Sequence, residues 1–271
     1  MSSESAQAAA ALLDRLNGPQ ELQVAVLALL LPAGSKRAVR AWQRESANYA
    51  RSTEIGDSVG QLPANARLPW LEVLLTRLRA QPLSDRQNLL EATRRVMSAR
   101  GVQRPIDRLH WLAMRQRLGE NSPAAHRSAA TNELSQLPQL DVEAIAAYSA
   151  FLARMVPAQA DKLDDPVPPK AGLAWYDGVM APWAAHAKIP PCEPPGTDTF
   201  VHALQVIQAV AWMQRPALVR GWTTAAIEHS PYGQLNDTAA DALRLSCSLL
   251  DSPLPPELSK HYGATVFANA S

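Results

Sequence analysis

Only two cysteines, Cys192 and Cys247, occur in 271 residues. So few thiols in so long a chain give no disulfide framework. Cys247 lies in an apolar helical pattern and reads as a buried thiol. Cys192 sits in a proline-rich loop, and a single bridge between the two stays open. Long apolar runs are also missing. The longest, Val24 to Leu31, is eight residues and ends at Pro32, far short of the roughly 20 needed to cross a bilayer. The start, Met1-Ser-Ser-Glu-Ser, has no basic stretch leading into an apolar one, so no signal peptide is expected. No alternating β-branched run bounded by turns appears.

The chemistry-bearing motifs are absent as well. There is no His-Glu-x-x-His, no Cys-x-x-Cys and no His pair at i, i+4. Neither glycine-rich phosphate loop occurs, and Gly-x-Ser-x-Gly is missing. Six histidines are scattered at 110, 126, 186, 202, 229 and 261. His110 and His202 fall on helical patterns and read as partly buried polar residues. Cys192 with some histidine would make a nucleophilic pair, but no helix N-terminus is at hand to activate the thiol. Asp164-Asp165 and the Asp237/Asp241 pair are the paired carboxylates. The latter reads as a helix cap plus a first-turn acid favoured by the helix dipole. No catalytic residue, metal ligand or cofactor is therefore assigned.

What is present points to helices. Hydrophobic residues make up 47% and charged residues 19% of the chain, which is ordinary for a protein that buries a core. The 22 prolines exceed the usual share of about 5% and fall mostly at segment boundaries. The expected fold is all-α, an array of roughly 11–12 helices. A helix over 5–16 ends at Asn17-Gly18, and Pro19 opens a second that ends at Leu31-Pro32. A third is expected from Gly34 to about Glu54, then a loop from Ile55 to Ala64. Three antiparallel helices fill 67–118: Leu68, Leu71, Leu74, Leu75 and Leu78 form one stripe, Ser84-Asp-Arg-Gln87 has the capping-box pattern, and Pro105 opens the third. A weaker helix covers 122–136, and Asp141 caps one to Met155. Residues 161–170 read as a linker, 171–187 as a helix and 190–196 as a break. Thr197 or Asp198 caps a helix to Met213, Pro216 starts one to His229, and Asn236 or Asp237 caps one to Leu250. Seven tryptophans, at 42, 70, 111, 175, 183, 212 and 222, are too far apart for a stacking platform and read as core anchors.

Charge is unevenly spread beneath a net +1. Residues 1–135 carry 18 Lys+Arg against 12 Asp+Glu, and from Arg67 to Arg117 there are eleven arginines and four acids. Arginine suits fork-shaped pairing with carboxylates or phosphates. One reading is a solvated helix surface with internal salt bridges. The other is a docking face for an acidic partner, formed by Arg77, Arg94, Arg95, Arg100, Arg104 and Arg108. With no basic–aromatic track, the pattern points away from nucleic acid.

A faint repeat links Leu89–Leu118 with Leu218–Leu250. Each reads helix, glycine turn, helix, with Gly101 and Gly233 in matching turns and Asp107 and Asp237 following. The expected organisation is a helical unit over 1–155 with its core at 67–118, a proline-rich connection over 156–196 holding one helix, a second unit over 197–258 and a tail over 259–271.

Three stretches carry a family resemblance. One is Ala11-Leu-Leu-Asp-Arg-Leu with the run from Val24 and Arg37-Ala-Val-Arg. Another is Arg67-Leu-Pro-Trp-Leu-Glu-Val-Leu-Leu, then Leu83-Ser-Asp-Arg-Gln and Ser98-Ala-Arg-Gly101. The third is Leu249-Leu-Asp-Ser-Pro-Leu-Pro-Pro256. In this order they resemble the long C-terminal region of bacterial membrane-bound zinc metallopeptidases of the HtpX-like family, over about residues 6–258. In that family the zinc-binding motif lies upstream, so this chain has no positions for the catalytic residues. The two helix–turn–helix units also look like the TerB-type tellurite-resistance fold. There an acidic turn suggests cation binding, whereas here the turns read Ala99-Arg-Gly101 and Ser230-Pro-Tyr-Gly233, so the fold is expected without the metal. The resemblance implies a non-catalytic interaction or regulatory domain, attached to or derived from such a peptidase. It would partner the peptidase domain or a membrane protein, in the cytoplasm at the inner-membrane surface. The alternative is a free-standing helical scaffold that binds an acidic protein, anionic lipid or other polyanion through its arginines.

Overall fold

A computed structural model describes residues 3–32, 34–119, 133–157 and 170–263. The fold is all-α: among the described residues there are thirteen α-helices, three short 3-10 turns and no strand. They form two compact units, one from the described residues of 1–103, 110–121 and 262–271, the other from those of 104–109 and 122–261.

The first unit holds α1 (Ser3–Arg15), α2 (Pro19–Leu29), α3 (Lys36–Glu45), α4 (Ser52–Gly60), α5 (Ala64–Leu78) and α6 (Leu83–Ser98). It also takes the C-terminal part of α7 (Pro105–Leu118). The helix built from the long apolar run, α2, is its centre. Seven of its eleven residues are buried, and α3, α4, α5 and α6 all pack on it. A helix apolar on every side has to be enclosed in this way. Its start is well defined: Pro19 occupies the first turn, and the Glu21 carboxylate accepts from the Gly18 N–H at 3.2 Å.

The second unit takes the first residues of α7, then α8 (Gln139–Leu152), α9 (Lys170–Met180), α10 (Thr197–Ala209), α11 (Arg215–Glu228), α12 (Asp237–Leu249) and α13 (Pro256–Tyr262) up to His261. Its core is aromatic. Tyr148 stacks on Phe200 at 5.2 Å and on Trp222 at 5.3 Å, and Phe151 lies 4.0 Å from Phe200 between ring centres. The buried polar tips are paired. The Tyr148 hydroxyl meets Ser246 Oγ at 2.9 Å, Trp222 donates to Ser149 Oγ at 3.0 Å, and Trp175 donates to the Trp222 carbonyl at 3.1 Å.

Several expectations change. The third helix stops at Glu45, and a separate helix, α4, starts at Ser52 and runs into the expected loop, with Ile55 and Val59 buried one turn apart. Residues 259–262, expected in a tail, belong to α13. The Ser84 capping box does not form, because α6 has already begun at Leu83 behind Pro82. Asp141 lies inside α8 rather than capping it, and Gly196 precedes α10. Asn236 does cap α12, accepting from the Ala239 N–H at 2.8 Å. The compact units divide near 104–109 and 122 rather than across the 156–196 connection, since α8 packs on α9 and α10. Six tryptophans are at least partly buried, but Trp212 is 72% exposed. Most of the weaker helix expected at 122–136, and nearly all of the 161–170 linker, lie outside the described residues.

Candidate polyanion-binding face

Four of the eleven arginines in 67–117, namely Arg67, Arg77, Arg86 and Arg117, donate to main-chain carbonyls. A helix leaves its last carbonyls unpaired, and cations are favoured there. Arg67 donates from Nη2 to the carbonyls of Ala28, Leu29 and Leu31, each at 3.1 Å, closing the end of α2. Arg77 donates from Nη1 to Leu13, Asp14 and Leu16 at 3.2, 2.9 and 3.1 Å, closing α1, and pairs with the Asp14 carboxylate at 2.8 Å. Arg86 donates to Leu118 and Gly119 at 3.0 and 3.3 Å, closing α7. In the second unit Arg215, 3% exposed, donates to Val210, Leu250 and Gln208 at 3.0, 3.2 and 2.5 Å and so serves the ends of α10 and α12 together. Guanidinium does this and ammonium does not, because it presents five donors in a fixed plane.

The six arginines expected to form one docking face have separate duties. Arg77 closes α1. Arg95 makes a two-pronged pair with Glu45 at 2.7 and 2.9 Å, which holds the Glu45 carboxyl below the usual range. Arg94 lies over Trp111, 5.7 Å from the ring centre. Arg100 is half-buried. Arg104 pairs with Asp107 at 3.1 Å, and Arg108 donates to Thr197 Oγ1 at 3.0 Å. Arg77, Arg94, Arg95 and Arg100 belong to the first unit, Arg104 and Arg108 to the second.

Four uncommitted cations lie elsewhere, together on α3. Ala38 and Trp42 are buried, and the Trp42 indole donates to the Val24 carbonyl at 3.1 Å. That fixes the helix with Lys36, Arg37, Arg40 and Arg44 all exposed, beside Val39 and Gln43. Arg37, Arg40 and Arg44 follow the i, i+3, i+7 spacing of one helical face. Among the described residues none of the four cations meets a carboxylate. The single acid of α3, Glu45, is taken by Arg95. Lys36 and Arg37 also occupy the first turn, where the dipole favours anions. Such a placement opposes stability by ~0.3–1 kcal/mol per charge. The spacing was visible in the sequence, but the larger arginine count downstream obscured it.

The chemistry-bearing residues are occupied or quiet. Burial, reinforced by Asp177, pushes the Cys192 thiol up to about 11, and Cys247 is buried; neither forms a disulfide. Such a thiol is protonated near neutrality and a poor nucleophile. His261 pairs with Asp237 at 3.0 Å, and His229 Nδ1 meets the Ala225 carbonyl at 2.8 Å. Among the described residues no three His, Cys, Asp or Glu side chains converge in a metal-holding group. A cleft of ≈ 720 Å³ on the first unit is lined by Glu21, Tyr49 and Asp85. The Glu21 carboxylate is already engaged there by Tyr49 at 2.7 Å, by Gly18 and by Arg51 at 3.1 Å. Among the described residues no helix is long and apolar enough to cross a membrane. No family model matches the chain, and no curated protein or solved structure matches it.

Proposed function

We propose that this chain is a non-catalytic helical interaction domain that docks on an anionic lipid surface through α3. The supporting observation is the exposed row Lys36, Arg37, Arg40 and Arg44, free of carboxylates in a protein whose other arginines are largely used for its own architecture. Each cation near an anionic bilayer contributes ~1 kcal/mol, within a Debye length of ~8–10 Å. The test is co-sedimentation with vesicles. Binding is expected to vesicles containing phosphatidylglycerol, to weaken steeply as salt rises, and to be absent with neutral phosphatidylcholine. Equal binding to both vesicles contradicts the reading. Salt-sensitive binding to an acidic protein without vesicle binding redirects it to a protein partner.

A second reading rests on the sequence stretches already described, which resemble the C-terminal region of HtpX-like membrane zinc metallopeptidases. On it, the chain is an accessory part or free-standing relative of such an enzyme, and its two helix–turn–helix segments are of TerB type. Both glycines of those turns, Gly101 (φ 91°) and Gly233 (φ 66°), adopt the left-handed conformation, in keeping with the matched turns. Co-purification with a membrane peptidase from a native extract supports this reading. A natural partner set with no peptidase in it contradicts it.

A further inference from the structure

A second group of cations lies within the second unit. The guanidinium carbon of Arg108, on α7, lies 5.8 Å from the Phe151 ring centre and 5.9 Å from that of Phe200. Its Nη2 donates to Thr197 Oγ1 at 3.0 Å. Two aromatic faces and a hydroxyl therefore fix where this charge sits. Arg154 follows Phe151 by three residues, just beyond the end of α8. Its Nε is buried and has no hydrogen-bond partner. Among the described residues no carboxylate pairs with either arginine. Asp107, the neighbour of Arg108, is bound by the Arg104 guanidinium at 3.1 Å and its N–H at 2.9 Å. Asp198, in the first turn of α10, bonds to neither arginine. Burial, and then the charge of Arg108, hold Arg154 below the ordinary arginine range.

Two cations that repel each other, one of them held on aromatic faces, are costly for a fold unless an anion joins them. Guanidinium pairs recognise planar and tetrahedral oxyanions by paired N–H donors. We propose that Arg108 and Arg154, with the Thr197 hydroxyl, form a binding site for a phosphate monoester. Thr197 also begins α10, whose first N–H groups have no partner within the helix. This site is independent of α3, and its residues belong wholly to the second unit.

The test is a thermal melt of the full chain in inorganic phosphate against chloride at equal ionic strength. Phosphate at roughly ten times its dissociation constant is expected to raise the melting temperature by about 3 °C. The rise is expected to vanish in Arg108→Gln and in Arg154→Gln. It should persist in Arg94→Gln and in a variant with Arg37, Arg40 and Arg44 changed to Glu. Circular dichroism of each variant without phosphate confirms that it is folded. Glycerol 3-phosphate giving the same rise identifies a soluble monoester. Binding to phosphatidate vesicles that is lost in Arg154→Gln, with no effect of soluble phosphate, identifies a lipid headgroup. No response to any of these probes, or a response unchanged in both arginine variants, overturns the site.

Discussion

At the residue scale, single side chains carry contacts that composition does not reveal. Arginine was expected to pair with carboxylates or phosphates. Its main partner here is the backbone carbonyl, which every residue possesses, so no pattern of side chains could announce it. Replacing Arg215 with Met should leave three carbonyls at two helix ends without donors and cost ~2–3 kcal/mol. Urea denaturation measures it, and a loss below half a kilocalorie would show that water serves those carbonyls equally well. Glycine at 172 is set by close approach: a β-carbon there would lie 2.0 Å from the Ala153 carbonyl oxygen. Gly172→Ala should therefore destabilise by ~1–3 kcal/mol through forced separation of α8 and α9, whereas Gly60→Ala, with open space around it, should not. Cys192 should react slowly with iodoacetamide at pH 7.5 and much faster as pH approaches 11, because burial keeps its thiol protonated. Labelling at the rate of a small free thiol would contradict that environment.

At the element scale, the long periodic helices were legible. The stripe from Leu68 to Leu78 and the stop at Arg100-Gly101 both correspond to real boundaries within a few residues. The short ones were not. In α4 two glycines interrupt the sequence signal, yet Gly56 is needed because Trp42 lies 2.5 Å from where its β-carbon would be. The seven-residue pattern of α13 is too short to show a period. Caps were readable only where the helix starts at the capping residue. Asn236→Ala should cost ~1 kcal/mol, since its side chain receives the Ala239 N–H. Ser84→Ala should cost almost nothing, because α6 begins one residue earlier. Paired thermal melts of the two variants check this, and similar losses in both would mean that the cap at Ser84 forms after all. The candidate face was half legible: the sequence indicated an arginine-rich surface, but only packing distinguishes α3, whose cations point outward, from α5 and α6, whose arginines are mostly bound.

At the scale of the whole molecule, the imbalance of charge between the two halves of the sequence reports architecture as well as binding. Carboxylates that anchor the first unit add a pH dependence. The Tyr49 hydroxyl, and then the Gly18 N–H, hold Glu21 below the ordinary carboxyl value of 4.5, and Arg95 does the same for Glu45. A lowered folded-state value means that the stabilisation is complete above the ordinary value and is lost as pH falls below it. Melting temperature should hence drop between about pH 4.5 and pH 3, by less in Glu21→Gln, and an unchanged pH profile in that variant would remove Glu21 from the account. The most direct test of the central claim is a charge-matched comparison on anionic vesicles. One variant reverses Arg37, Arg40 and Arg44 to Glu. The other reverses Lys170, Arg220 and Lys260, which are also exposed but lie in the second unit. The α3 variant should lose vesicle binding by more than 100-fold, at ~5-fold or more per charge, while the control stays within a few fold of wild type. Equal losses in the two variants would contradict docking through α3.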